Sequence, residues 1–233
     1  MRNLVFDLNK EPDCLKILRN NNSSYDDLKD DCRGEVLSIL KKSQQSYCAY
    51  CEKQLQYNIN IEHIIPQSVD RSKVLMLENY LGVCSGHFYL NKMRGTKIDH
   101  CDKSRQRATL LHLNPKIKAD IDQIYYDDDA SIMSANINFN NDLNTQLNLN
   151  FDQLKLQRQD VFNNNLKQLI SVSSTIKMSK TKAYCRALRS AKLRTTEFSG
   201  YLIFRYKKLL MNSVSDSIGK RIYASIFCLL NRI

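Results

Sequence analysis

Two close cysteines, Cys48-Ala-Tyr-Cys51, and an adjoining acid and histidine, Glu62-His63, followed by Ile64-Ile65-Pro66, are the residues of this 233-residue chain best placed to do chemistry. A CxxC turn can bring both sulfurs onto one metal ion, and a structural zinc takes four such ligands in a tetrahedron. Further soft ligands lie in GVCSGHFYLNKMRGTKIDHCDKSR. Cys84 with Cys101 is the leading completion; Cys84 with His87 is the tighter-spaced rival, and His100 is another candidate to stand in for Cys101. Four protein ligands leave no open position for water, so such a zinc holds the fold and the chemistry must sit beside it. Glu62 and His63 are the candidates for that chemistry. Neighbouring side chains of an extended strand point to opposite faces, so the chain must bend locally for both to serve one site. A histidine taken alone reads as a core residue. With an acid before it, a proline after it and the cysteine pair upstream, function is the better reading.

The formal net charge is +11 and the sequence pI about 9.2, which favours a polyanionic partner such as nucleic acid. From Ile176 to Ile233 there are thirteen Lys or Arg against only Glu197 and Asp216, while the rest of the chain balances. Evenly spread solubility charge would not segregate in this way. The start, MRNLVFDLNKEPD, carries Asp7, Glu11 and Asp13, and no stretch approaches the roughly 18 apolar residues of a spanning helix. A cytoplasmic protein without a membrane anchor is therefore expected. There a CxxC is seldom a structural disulfide. A thiol oxidoreductase would need the pair between a strand and a helix in a βαβ context, which the sequence does not offer. Cys14, Cys32, Cys185 and Cys228 carry no metal spacing and are expected to be buried or idle thiols.

The elements that must position these groups fall into four segments of an α+β chain. Leu28, Cys32, Val36 and Leu40 recur every four residues and predict a helical N-terminal cap over 1–45. Residues 46–115 break into short pieces with turns and hold all four histidines. Residues 116–150, acidic at YYDDDAS and rich in asparagine, read as an irregular connector. Residues 151–233 repeat apolar residues at helical spacing, as at Phe162, Leu166, Leu169 and Ile170, at Leu202, Tyr206, Leu209 and Leu210, and at Ile218, Ile222, Ile226 and Leu230. An all-helical, basic C-terminal domain is predicted there. Tyr201, Tyr206 and Tyr223 at this spacing read as core or interface rather than as base-stacking platforms, and His112 in LLHLNP reads as structural.

Cys48-x-x-Cys51, Glu62-His63-Ile64-Ile65-Pro66, Asn79 and a second cysteine cluster together resemble the HNH endonucleases, whose core is a ββα-metal finger. More narrowly, LENYLGVCSG followed by HCDKSR, with the LLHLNP turn and a long helical tail, resembles the HNH nuclease subunits of Septu and retron anti-phage systems, the PtuB family. The motifs cover about Leu4 to Pro115. The resemblance implies that His63 is the general base acting on water and that Glu62 and Asp102 hold a catalytic Mg²⁺ or Mn²⁺, with Asn91 and His87 as rivals of Asp102. It implies that Asn79 braces the loop bearing the histidine. It also implies a nucleic-acid substrate, DNA or tRNA, an ATPase partner called PtuA and, in retron-linked forms, a reverse transcriptase with its DNA–RNA hybrid. Phosphodiester hydrolysis needs an activated water and positive charge at the phosphate. Arg105 or Lys103 is expected to grip a neighbouring phosphate. The competing reading is a zinc-stabilised nucleic-acid-binding or adaptor module without catalysis, in which Glu62 and Asp102 are dispensable.

Overall fold

The computed structural model describes residues 1–56, 59–89, 95, 97–105, 110–193 and 196–213. The expectations placed on Asn91, Ile218, Ile222, Tyr223, Ile226, Cys228 and Leu230 lie outside these residues. The chain is α+β and divides into two units, Met1–Asp127 with Ser131–Phe151, and Asp128–Ala130 with the residues from Asp152 onward.

The first unit opens with helices α1 (Asp13–Asn20) and α2 (Asp30–Ser43), α2 starting with two acids and ending with Lys41 and Lys42, in accord with its dipole. Strands β1 (Asn60–His63) and β2 (Tyr80–Val83) pair antiparallel, Glu62 opposite Leu81 and His63 opposite Tyr80. Leu15, Leu28, Val36 and Leu40 pack with Ile61, Leu75, Leu77 and Tyr80 to form the core beneath this hairpin. Leu28 lies two residues before the start of α2, so the four-residue spacing overran the N-terminal end of the helix. Cys14 and Cys32 correct a second expectation: they form a disulfide joining α1 to α2 instead of remaining thiols, because the two helices bring their Cα atoms to 5.8 Å.

Strands β3 (His87–Tyr89) and β4 (Lys97–Asp99) form a second hairpin, followed by a 3₁₀ turn, Cys101–Lys103. The α-element expected of a ββα finger after this turn falls partly on 106–109, outside the described residues. The stretch 116–150, expected to be irregular, is folded: α3 (Lys118–Ile121), β5 (Ile124–Tyr126), β6 (Ile132–Ser134) and α4 (Ile137–Asn141) run into a π-helical turn, Asp142–Gln146. Its asparagines, which suggested disorder, bind backbone instead. Asn140 accepts from Ser134 N (2.8 Å) and donates to Ser134 O (2.6 Å), and Asn150 does the same for Ile132 (2.8 and 2.9 Å). Phe139, Leu143, Leu147 and Leu149 are buried with them.

The described part of the second unit contains helices α5 (Asp152–Thr175), α6 (Lys180–Lys192) and α7 (Ser199–Asn212). Tyr201 and Tyr206 are buried against Phe162, the core role expected of them. The α6 face opposite buried Ala183, Leu188 and Ala191 exposes Lys182, Arg186 and Arg189. Among the described residues no helix is long and apolar enough to cross a membrane.

Candidate metal centre and active site

Cys48, Cys51, Cys84 and Cys101 converge, their sulfurs all within 4.8 Å of one another. Cys48 and Cys101 are 4.0 Å apart and Cys51 and Cys84 3.8 Å. A tetrahedral ion with metal–sulfur bonds of about 2.3 Å needs sulfurs about 3.8 Å apart, so the cluster fits a zinc-sized ion. The knuckle is docked by Ala49 N to Gly82 O (3.1 Å), which fixes it to β2, and Cys84 follows that strand directly. Buried Gln44 caps the same strand, accepting from Gly82 N (2.7 Å) and donating to Gly82 O (2.7 Å). Cys101 arrives from the other side. Its backbone is left-handed (φ 53°), and its N–H donates to Leu147 O at 2.8 Å, so the asparagine-rich stretch holds this ligand in place. Gly86 lets the turn close: at φ +72° a Cβ there would lie 2.7 Å from His100 O.

Burial pushes the Cys51 and Cys101 thiols up, while hydrogen bonds from Cys101 and the other two cysteines bring Cys84 down. Four thiols this close do not ionise together without a cation among them. His100 does not replace Cys101; it is buried with Nδ1 3.1 Å from the Cys101 sulfur, where a ring N–H would support a thiolate. His87 instead pairs with Asp99, Nδ1 to Oδ1 2.7 Å.

Beside this cluster a cleft of ≈ 690 Å³ is lined by Glu62, His63, Asp102, Lys103 and Arg105, together with Asp26, Pro66, Gln67 and Ser68. The strand ends at His63 and the chain bends at Ile64 and Ile65, the local break that the adjacent pair required. Rings of Tyr25 and Tyr80 meet His63 edge-on at 4.7 and 5.1 Å. His63 Nε2 lies 2.9 Å from Val74 O, an acceptor, so Nε2 carries the proton and the neutral ring keeps its lone pair on Nδ1. Burial lowers the His63 pKa, partly offset by the Val74 hydrogen bond. The ring is therefore neutral at neutral pH.

Asn79 ties the loop after His63 to the hairpin. Its Oδ1 accepts from Ile65 N (2.8 Å), and its Nδ2 donates to Ile65 O (3.0 Å) and Lys73 O (3.0 Å). Asn79→Ala strips partners from groups that are shielded from water. It is expected to cost about 1–3 kcal/mol in guanidinium unfolding of the chain.

Arg105 departs from its expected role. Rather than facing a phosphate it is buried, with Nη1 on Glu62 Oε1 (2.5 Å) and His63 O (2.8 Å) and Nη2 on Ile64 O (3.0 Å). Its backbone N–H bonds Cys101 O (3.1 Å), so one residue, through main chain and side chain, links the cysteine cluster to the Glu62–His63 segment. The reason is proximity: one turn beyond Cys101, the side chain reaches the carbonyls left unpaired where β1 ends. Burial raises Glu62 to about 7, Arg105 opposing and Asp102 adding to the rise. Asp102 Oδ2 accepts from Asn60 Nδ2 at 3.0 Å. Arg105→Met leaves Glu62 buried without its cation. Breaking such a pair is expected to cost about 3–5 kcal/mol, read as a lowered guanidinium midpoint with zinc content retained.

The structure thus brings together Cys48, Cys51, Cys84 and Cys101, and separately Glu62, His63, Asp102 and Arg105, with Asn79 behind the loop. Sequence reasoning missed Asp26, which reaches the cleft from the turn between α1 and α2, and Tyr25 of the same turn, which packs on the His63 ring. Only the Ser24–Asp27 capping pattern marked that turn. The chain matches no protein-family model and none of the curated proteins with which it was compared.

Proposed function

We propose that the chain is a metal-dependent HNH-type endonuclease that hydrolyses phosphodiester bonds of DNA or tRNA, with a structural zinc on the four cysteines. The observation that carries this reading is the cleft itself, in which a neutral histidine with a free-electron-pair Nδ1 lines the same wall as two carboxylates. His63 takes a proton from the attacking water, its depressed pKa keeping it in the form a base needs. Glu62 and Asp102 offer hard oxygen ligands for Mg²⁺ or Mn²⁺. A divalent ion held there would neutralise charge developing on the scissile phosphate. Arg105 and Asn79 orient the segment on which Glu62 and His63 sit, and Lys103, exposed on the cleft wall, takes the phosphate-gripping part expected of Arg105.

The PtuB-like motifs and the basic C-terminal segment support a place in an anti-phage complex with a PtuA-type ATPase and, in a retron-linked form, a reverse transcriptase with its DNA–RNA hybrid. The test is reconstitution: purified chain, with and without the ATPase, assayed with Mg²⁺ on duplex DNA and total tRNA. One observation favours a second reading, a non-catalytic zinc-stabilised binding module: Glu62 is already paired with Arg105. That reading predicts that Glu62→Gln and Asp102→Asn leave every function of the complex intact.

A further inference from the structure

A second groove, ≈ 940 Å³, runs into the active-site cleft and shares Gln67 and Ser68 with it. Its wall carries hydroxyls and amides at Asn22, Ser24 and Ser72, beside Tyr25 and Arg71, on an apolar floor of Val74, Leu75 and Met76. Arg71 is exposed at this end and Lys103 is exposed in the cleft. Among the described residues neither makes an ion pair. Arg19, also on the groove, is already engaged: it holds Glu11 through two bonds of 2.7 Å and donates to Leu75 O at 2.9 Å. The turn bearing Arg71 is preformed, Asp70 accepting from Ser72 N (2.9 Å) and Ser72 Oγ (2.7 Å), so little backbone freedom is left to lose on binding. Lys103 is similarly placed, its Cβ and Cγ lying where a Cβ on Gly86 would clash.

We propose that this groove and the cleft form one continuous track for a nucleic-acid backbone, with Arg71 and Lys103 gripping phosphates on opposite sides of the bond at His63. The inference rests on the nuclease reading and adds the path of the substrate. A phosphodiester strand suits the wall: hydroxyls and amides bond phosphate oxygens without reading sequence, and two unpaired cations supply the charge.

The test uses the full chain in a His63→Ala background, so that nothing is cut, with fluorescein-labelled single-stranded DNA, duplex DNA and tRNA as separate probes. Affinity is measured over a salt series. Arg71→Ala and Lys103→Ala are each expected to weaken binding roughly threefold to tenfold at low salt and to reduce the slope of log Kd against log salt by about 0.7 to 0.9, the signature of one lost phosphate contact. Lys42→Ala, an exposed change on α2 outside both cavities, should leave the slope as it was. The probe showing the loss identifies the polymer. Parental slopes in Arg71→Ala and Lys103→Ala, or an equal loss in Lys42→Ala, would overturn the track while leaving the nuclease reading standing wherever the parent cuts. If no probe binds and the parent cuts none of them, the nuclease reading falls and the track with it.

Discussion

Removing the metal from the cysteine cluster, by chelation or by Cys51→Ser, is expected to unfold the first unit. Three structural facts set the size of the effect. The four sulfurs are contributed by three separate places: the turn after α2, the end of β2 and the turn after β4. Little other regular structure joins those places, since the sheets of this unit are two-stranded pairs. The Glu62–His63 segment hangs on the Cys101 turn through Arg105. Zinc binding at structural sites contributes on the order of 10 kcal/mol in peptide hosts, as much as the whole stability of a typical domain. Guanidinium unfolding with bound zinc counted by mass spectrometry checks it. A chain that keeps its unfolding midpoint after losing the metal would show that the cysteines are only neighbours.

The second large effect is expected at His63. His63→Ala should lower Mg²⁺-dependent cleavage by about 10² to 10⁴, the usual contribution of a general base. The substitution is structurally tolerable. Val74 O, the partner of Nε2, also accepts from Tyr80 Oη at 2.7 Å, so it keeps a donor when the imidazole is gone. His63→Gln is the stricter variant, because its amide can still donate to Val74 O yet has no basic nitrogen. Both variants should keep their zinc and bind substrate like the parent. Loss of zinc with loss of activity would assign His63 a packing role between Tyr25 and Tyr80 instead.

The parts of this account legible in the sequence are those whose chemistry is carried by residue type. Four cysteines, one pair at CxxC spacing, announced the four-sulfur cluster, and Cys101 rather than His87 or His100 completes it because the bonds of His100 N to Gly86 O and of Cys101 N to Leu147 O deliver its sulfur. Helical spacing announced α2, α5 and α7. What was not legible depends on long-range contacts. Asparagines look the same in a disordered stretch and in one where each amide binds a backbone pair, and only the fold shows that Leu147 holds Cys101. Arg105 carries the same charge whether it faces a phosphate or a buried glutamate. The approach of Cys14 to Cys32 depends on how α1 and α2 cross, which no spacing reveals.

The measurement that tests the central claim most directly is cleavage by the purified chain with Mg²⁺, alone and with the proposed PtuA-type ATPase, on duplex DNA and total tRNA, with His63→Gln in parallel and zinc content verified in both. The account predicts Mg²⁺-dependent products from one of these polymers with the parent and their loss with the variant. Equal cleavage by the variant, or none by a zinc-loaded parent in any combination, would contradict it and make the chain a binding module.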